Sequence, residues 1–254
     1  MLPTNWHALV ALFLWISPHV LLGVLAVVLY KRGLYRDFPC FFAYVLYEIA
    51  EFVLMFTLYF RATASQYALA YYSALTFSLI LRFGVIDEVS KDLFRDSRLL
   101  KVSARRALQW VTGFLLLIGV LLAIYAPSDN SVKWIAGVTS INRGAALVQC
   151  GLLLCLLIFS RFLGLSWRRP TFGIALGLGI LTSVDLAIRA VFSEFVRGVG
   201  SPYMDVLITG TYLICVLVWI GYSLVPEIKP GSIAVLPRVE VETWNTELQH
   251  LLRD

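Results

Sequence analysis

The feature that most constrains this chain is a series of apolar runs longer than the buried helices of water-soluble domains. Seven occur, at about 8–30, 39–60, 66–86, 107–126, 135–159, 171–195 and 203–225. At 1.5 Å of rise per residue, about 20 helical residues cover a hydrocarbon core roughly 30 Å thick. Lipid offers no partner to a free N–H or C=O, so runs of this kind must satisfy their backbone internally, as helices. Composition agrees: the chain is 59% hydrophobic and 15% charged, against about 45–50% and 25% in soluble domains. The expected fold is an all-α polytopic membrane bundle of seven transmembrane helices over residues 1–226. A short tail follows at 227–254, where Pro230 and Pro237, with Pro226 just before it, oppose regular structure.

Orientation follows from the basic residues. The first connection carries Lys31, Arg32 and Arg36. The third carries Lys91, Arg95, Arg98, Lys101, Arg105 and Arg106, and the fifth Arg161, Arg168 and Arg169. The even-numbered connections carry Arg61, Lys133 and Arg197, so the split is twelve against three. Positive loops stay in the cytoplasm, which places the N-terminus outside and the C-terminus inside. The first apolar stretch, Ala8 to Tyr30, lacks a basic residue before it and ends in Lys31-Arg32, so it reads as a retained span rather than a secretory leader. The net charge of +5 points to anionic lipid headgroups beside these loops and not to nucleic acid. A helical stripe of Val85, Ile86, Val89, Leu93 and Phe94 continues the third span past the membrane, where a cytoplasmic protein partner has a surface to engage.

A charge at mid-bilayer costs about 2.5–3.5 kcal/mol on insertion scales, so intramembrane charges mark candidate sites and are expected to pair. Six occur: Glu48, Glu51, Arg82, Arg143, Asp185 and Arg189, three acids against three bases. Glu48 and Glu51 stand three residues apart near the middle of the second span, on one helix face. Asp185 and Arg189 are one turn apart in the sixth span, and Arg143 lies in the outer half of the fifth. Arg82 sits deeper toward the cytoplasm, within reach of Asp87 and Glu88 by snorkelling. His19 follows Pro18 in mid-span, where the proline frees the Leu14 carbonyl. Tyr44, Tyr47, Ser78, Asn142, Gln149 and Thr182 supply further donors and acceptors. These residues compose an expected ligand or proton site: Glu51, Arg143, Asp185 and Arg189 around an outward pocket, with His19, Glu48, Arg82 and Gln149 below. The competing reading is an ion-paired staple that orders the helices.

Other chemistries are disfavoured by the residues present. All five lysines, at positions 31, 91, 101, 133 and 229, lie outside the apolar runs, which excludes a retinal Schiff base. His7, His19 and His250 are too few and too scattered for a zinc or bis-histidine haem site, so no metal or cofactor is expected. Cys40, Cys150, Cys155 and Cys215 read as small packing residues. Gly173 and Gly177, like Ala175 and Gly179, place small residues four apart in the sixth span, where helix backbones can approach closely.

One stretch carries a likeness. Arg143, the run Val148-Gln149-Cys150-Gly151-Leu152-Leu153-Leu154, the run Phe159 to Arg168 and the run Phe172 to Gly177 together resemble a set of uncharacterised bacterial seven-span membrane proteins. That resemblance implies a multi-pass protein of the bacterial inner membrane and no particular activity. Within it, Trp167 and Arg168 fit an interfacial anchor. The expectation is a sensor or receptor-like protein binding a small ligand, ion or proton. The alternatives are a small transporter or channel, a scaffold subunit of a membrane complex, and an intramembrane enzyme using Glu48 and Glu51.

Overall fold

The computed structural model describes residues 6–94, 133–162, 167–195 and 202–225, and all regular structure within them is helical. Helix α1 is Trp6–Lys31, α2 the single turn Leu34–Asp37, α3 Pro39–Arg61 and α4 Ala64–Leu93. Helix α5 is Lys133–Phe162, α6 Arg169–Phe195 and α7 Pro202–Leu224. Five helices (α1, α3, α4, α6 and α7) are long and apolar enough to cross a membrane, and α5 has a shorter apolar stretch at Gly144–Ile158. The expected span at 107–126 and the tail at 227–254 lie outside the described residues. Helix α4 runs unbroken through Asp87-Glu88 to Leu93, as the apolar stripe requires.

The six long helices close a ring. α1 packs on α3 and α7, α7 on α6, α6 on α5 and α4, α5 on α4, and α4 on α3. Contacts at one end fix their relative directions. Arg168, preceding α6, reaches Asp37 of α2 and Asp92 near the end of α4. Trp167 donates its indole N–H to Ser160 near the end of α5, and Phe172 of α6 meets Tyr222 near the end of α7. This basic end therefore gathers the C-terminal ends of α1, α4, α5 and α7 and the N-terminal ends of α3 and α6. Gly33 turns the chain from α1 into α2 at φ 72°, a left-handed conformation that glycine adopts without the Cβ penalty of other residues.

Helix α3 begins in an unusual way. Its N-cap is Phe38, which has no capping side chain, and Pro39 occupies the first turn. Proline there is tolerated because its missing N–H would be unpaired anyway. The next two donors are captured from another helix: Glu88 of α4 accepts from the Cys40 and Phe41 N–H groups, both at 2.9 Å. A carboxylate on a helix N-terminus satisfies orphan donors and complements the helix dipole. The same end is tied by Arg168, 3.1 Å from Asp37 and 3.0 Å from Asp92, while Thr171 donates to the other Asp92 oxygen.

The half of the ring nearest this end holds a continuous cluster of buried apolar side chains. Leu22, Leu25, Phe41, Tyr44, Val85 and Trp219 are at most 1% exposed, and Val89, Leu152, Leu156, Ile174 and Leu178 pack with them in one cluster. Phe41 and Tyr44 meet the Trp219 ring edge-on at 5.4 and 6.1 Å between centroids. Helices α6 and α7 approach closely because Gly173 and Gly177 face Tyr222 and Trp219. A Cβ at Gly177 would stand 2.2 Å from Trp219 Nε1, and one at Gly173 2.3 Å from Tyr222 Cβ. Gly179 has nothing in that space. The small-residue pattern of α6 is thus a packing device in one of its two rows.

Candidate functional site

Above this packed half the ring opens into a cavity of about 290 Å³ to which all six long helices contribute. Its lining includes His19 from α1, Glu48 from α3, Arg82 from α4, Asn142 and Gln149 from α5, Asp185 from α6 and Tyr212 from α7. Of the residues expected in the polar centre, His19, Glu48, Arg82, Gln149 and Asp185 therefore share one space. The side chains of Arg143 and Arg189 lie outside the described residues.

Glu48 organises the floor of this cavity. Its Oε1 accepts from Ser78 Oγ at 2.6 Å and lies 3.8 Å from Arg82 Nη2. Its Oε2 accepts from the Tyr212 hydroxyl at 3.2 Å. Three helices thus converge on one carboxylate, and the acid and base offset each other where low dielectric makes an isolated charge costly. The Arg82 guanidinium lies over the ring of Tyr44, 5.7 Å from its centroid, a cation–π contact with the outermost ring of the packed half. Gln149, 1% exposed, donates to the Leu79 carbonyl across the α4–α5 interface at 3.4 Å.

The geometry corrects the expected partner of Arg82 and sets Glu51 apart from this cavity. Arg82 does not snorkel toward Asp87 and Glu88: Asp87 pairs with Lys91 and Glu88 caps α3, so the nearer partner for the guanidinium is Glu48. Glu51, three residues beyond Glu48, is not among the cavity-lining residues and makes no hydrogen bond or ion pair with the described residues. A separation of three residues rotates side chains by about 300°, so the pair share a face broadly while differing enough in direction for Glu48 alone to reach the centre.

His19 lines the cavity in a defined state. Its Nδ1 lies 3.0 Å from the Trp15 carbonyl, and its ring stacks on Phe52 with centroids 3.9 Å apart. A carbonyl can only accept, so Nδ1 carries the proton. The ring is therefore hydrogen-bonded to its own helix at the wall of the cavity. Pro18 lies within a continuous α1.

Two polar groups of the lining are unsatisfied. Arg82 Nε and Asn142 Nδ2 are buried and have no hydrogen-bond partner, as does the nearby Tyr44 hydroxyl. Buried donors are nearly always paired, so these groups stand out among the polar atoms of the bundle. Sequence reasoning missed Tyr212, together with Trp15, Tyr71, Thr209 and Thr211, all in the cavity wall. The signal in the last span was Thr209-Gly210-Thr211-Tyr212, a polar island in an otherwise apolar run. Among the described residues no cluster of His, Cys, Asp and Glu could hold a metal ion. No family model, curated protein or solved structure matches the chain.

Proposed function

We propose that this protein is a seven-span receptor of a bacterial inner membrane, binding a small ligand in a cavity that opens away from the cytoplasm. The observation that carries the reading is the asymmetry of the ring: a polar cavity in one half, and a continuous apolar core beneath it. A transporter of this size needs a path past that core. A receptor needs the core to be continuous, so that a change at the cavity floor moves the far end as a unit.

The count of seven is supported by parity. Gln149 of α5 meets Leu79 of α4 midway along both helices, and the ends of both meet at Arg168 and Trp167. Helices α4 and α5 therefore run in the same direction, and the connection between them returns from the basic end to the other. The positive residues at the basic end favour the cytoplasm for that side. The apolar stripe of α4, Val85, Ile86, Val89, Leu93 and Phe94, is buried in the core, so the surface offered to a cytoplasmic partner at this end of α4 is its exposed polar side, with Asp87 and Lys91.

The link from site to output is short. Arg82, on the cavity floor, and Glu88, the cap of α3, are less than two turns apart on one helix. Their α3 counterparts, Glu48 and Cys40, are about two turns apart. The test is a pair of spin labels at Lys91→Cys and Arg169→Cys in proteoliposomes, with the native cysteines replaced. Glu48→Gln, which weakens the floor without changing its volume, is expected to add a second distance population. An unchanged distribution would refute coupling between the cavity and the basic end.

A further inference from the structure

The basic residues at the end of the bundle opposite the cavity are not all engaged in the same way, and the difference marks a second site. Lys91 pairs with Asp87, and Arg168 with Asp37 and Asp92. Lys31, Arg32 and Arg36, at the corner where α1 turns into α2, are exposed and have no acidic partner among the described residues. Asp37 is the one acid between α1 and α3, and it is taken by Arg168 at 3.1 Å. Three positive charges are therefore left together at one corner, where a counter-anion would relieve their mutual repulsion.

The surroundings of that corner suit a membrane interface. Tyr30 of α1 stacks on Tyr35 of α2 with centroids 5.4 Å apart, and Tyr35 lies 6.0 Å from Phe42 of α3. Tyrosines collect at the headgroup level of a bilayer, which sets the neighbouring cations at the depth of lipid phosphates. Arg36 is already positioned: its Nε donates to the Tyr35 hydroxyl at 3.0 Å, and its guanidinium lies 5.5 Å from that ring's centroid. Both terminal nitrogens remain, the fork that grips phosphate oxygens in pairs. Toward the bilayer interior, Val20, Val24 and Val27 are exposed in line with Lys31 on one face of α1. Pro39, Ala43, Leu46 and Ala50 form the corresponding exposed face of α3. A free phosphate would use the cations alone, whereas a phospholipid uses the cations and these apolar faces together. We propose that the α1–α2 corner binds an anionic phospholipid, with its phosphate on Arg36 beside Lys31 and Arg32 and its acyl chains along the exposed faces of α1 and α3. The same turn carries the Asp37–Arg168 pair, so the headgroup sits against the cluster that joins α2, α4 and α6.

The experiment is native mass spectrometry of the full chain in one neutral detergent, titrated with phosphatidylglycerol or with phosphatidylcholine of the same chains. Each basic residue near an anionic headgroup is worth roughly fivefold, so phosphatidylglycerol is expected to bind on the order of tenfold more tightly or better. Arg36→Gln is expected to weaken it about fivefold, and Lys31→Gln combined with Arg32→Gln by on the order of 25-fold. The combined variant gives a second reading should Arg36→Gln fail to yield monodisperse protein. Arg161→Gln removes one exposed charge at the end of α5, a helix that packs on neither α1, α2 nor α3, and is expected to leave the affinity unchanged. Equal affinity for the two lipids would overturn the proposal, as would an equal loss from Arg161→Gln. Displacement of phosphatidylglycerol by inorganic phosphate would also overturn it, in favour of a soluble anion. None of these outcomes bears on the cavity.

Discussion

The two halves of the ring use the same six helices to opposite ends. Toward the basic end, Leu22, Leu25, Phe41, Val85, Leu178 and Trp219 pack into one buried cluster, with paired polar groups such as Glu88 and Arg168 at its edge. Toward the other end, the interior holds His19, Glu48, Arg82, Asn142 and Asp185 around open volume. The boundary is one layer thick: Tyr44 belongs to the core, and Arg82, lying over its ring, belongs to the cavity. In a bilayer the apolar effect does not drive helices together, because lipid is as apolar as leucine, and close packing and polar contacts must do so. One half uses the first means and the other the second.

That contrast is open to direct challenge. The largest effect is expected from Gly177→Val, which drives a side chain into Trp219 in the packed half. Overpacking of this kind costs about 3 kcal/mol or more, read as loss of monodisperse protein or a large fall in Tm. Gly179→Ala, in open space on the same helix, should change Tm little. Equal tolerance at the two sites would deny the close packing of α6 on α7.

Arg168→Ala comes next. It strands Asp37 and Asp92 without their shared cation. Its side chain is 28% exposed, so solvent screens part of the loss, and about 2 kcal/mol is expected by thermal unfolding in a fixed detergent. Glu88→Ala removes the cap from α3 and should cost about 1 kcal/mol, in the range of other lost N-caps. Tyr212→Phe deletes one long hydrogen bond in the cavity half and should cost under about 1 kcal/mol. A loss at Tyr212 exceeding that at Arg168 would reverse the proposed division of labour.

Much of this was legible in the chain before any coordinates. Apolar runs with basic connections gave the helices, and the stripe from Val85 to Phe94 gave the unbroken course of α4 but not its setting, since all five of its residues are buried in the core. The intramembrane charges gave Glu48, Asp185 and His19 their place in the cavity. What pattern could not supply was direction within a helix and partnership between helices. Arg82 turned inward because Asp87 and Glu88 were already engaged, a fact invisible from spacing. Glu51 was favoured on depth, yet depth says nothing about which neighbour a side chain faces. Glu88 reads as one charge in a polar stretch, and its role as a cap depends on Phe38 being unable to cap α3 itself. Tyr212 was overlooked because tyrosine in a span is common at interfaces and draws no notice until a carboxylate is found beside it.

The central claim is that the cavity is reached from one side while the half beneath it is sealed. In a chain with its four native cysteines replaced, Thr209→Cys marks the cavity wall and Leu178→Cys the packed half. A membrane-impermeant thiol reagent is then applied separately to each face of oriented vesicles. The account predicts modification of Thr209→Cys from the N-terminal face alone and of Leu178→Cys from neither. Modification of Thr209→Cys from the cytoplasmic face, or of Leu178→Cys from either, would contradict it.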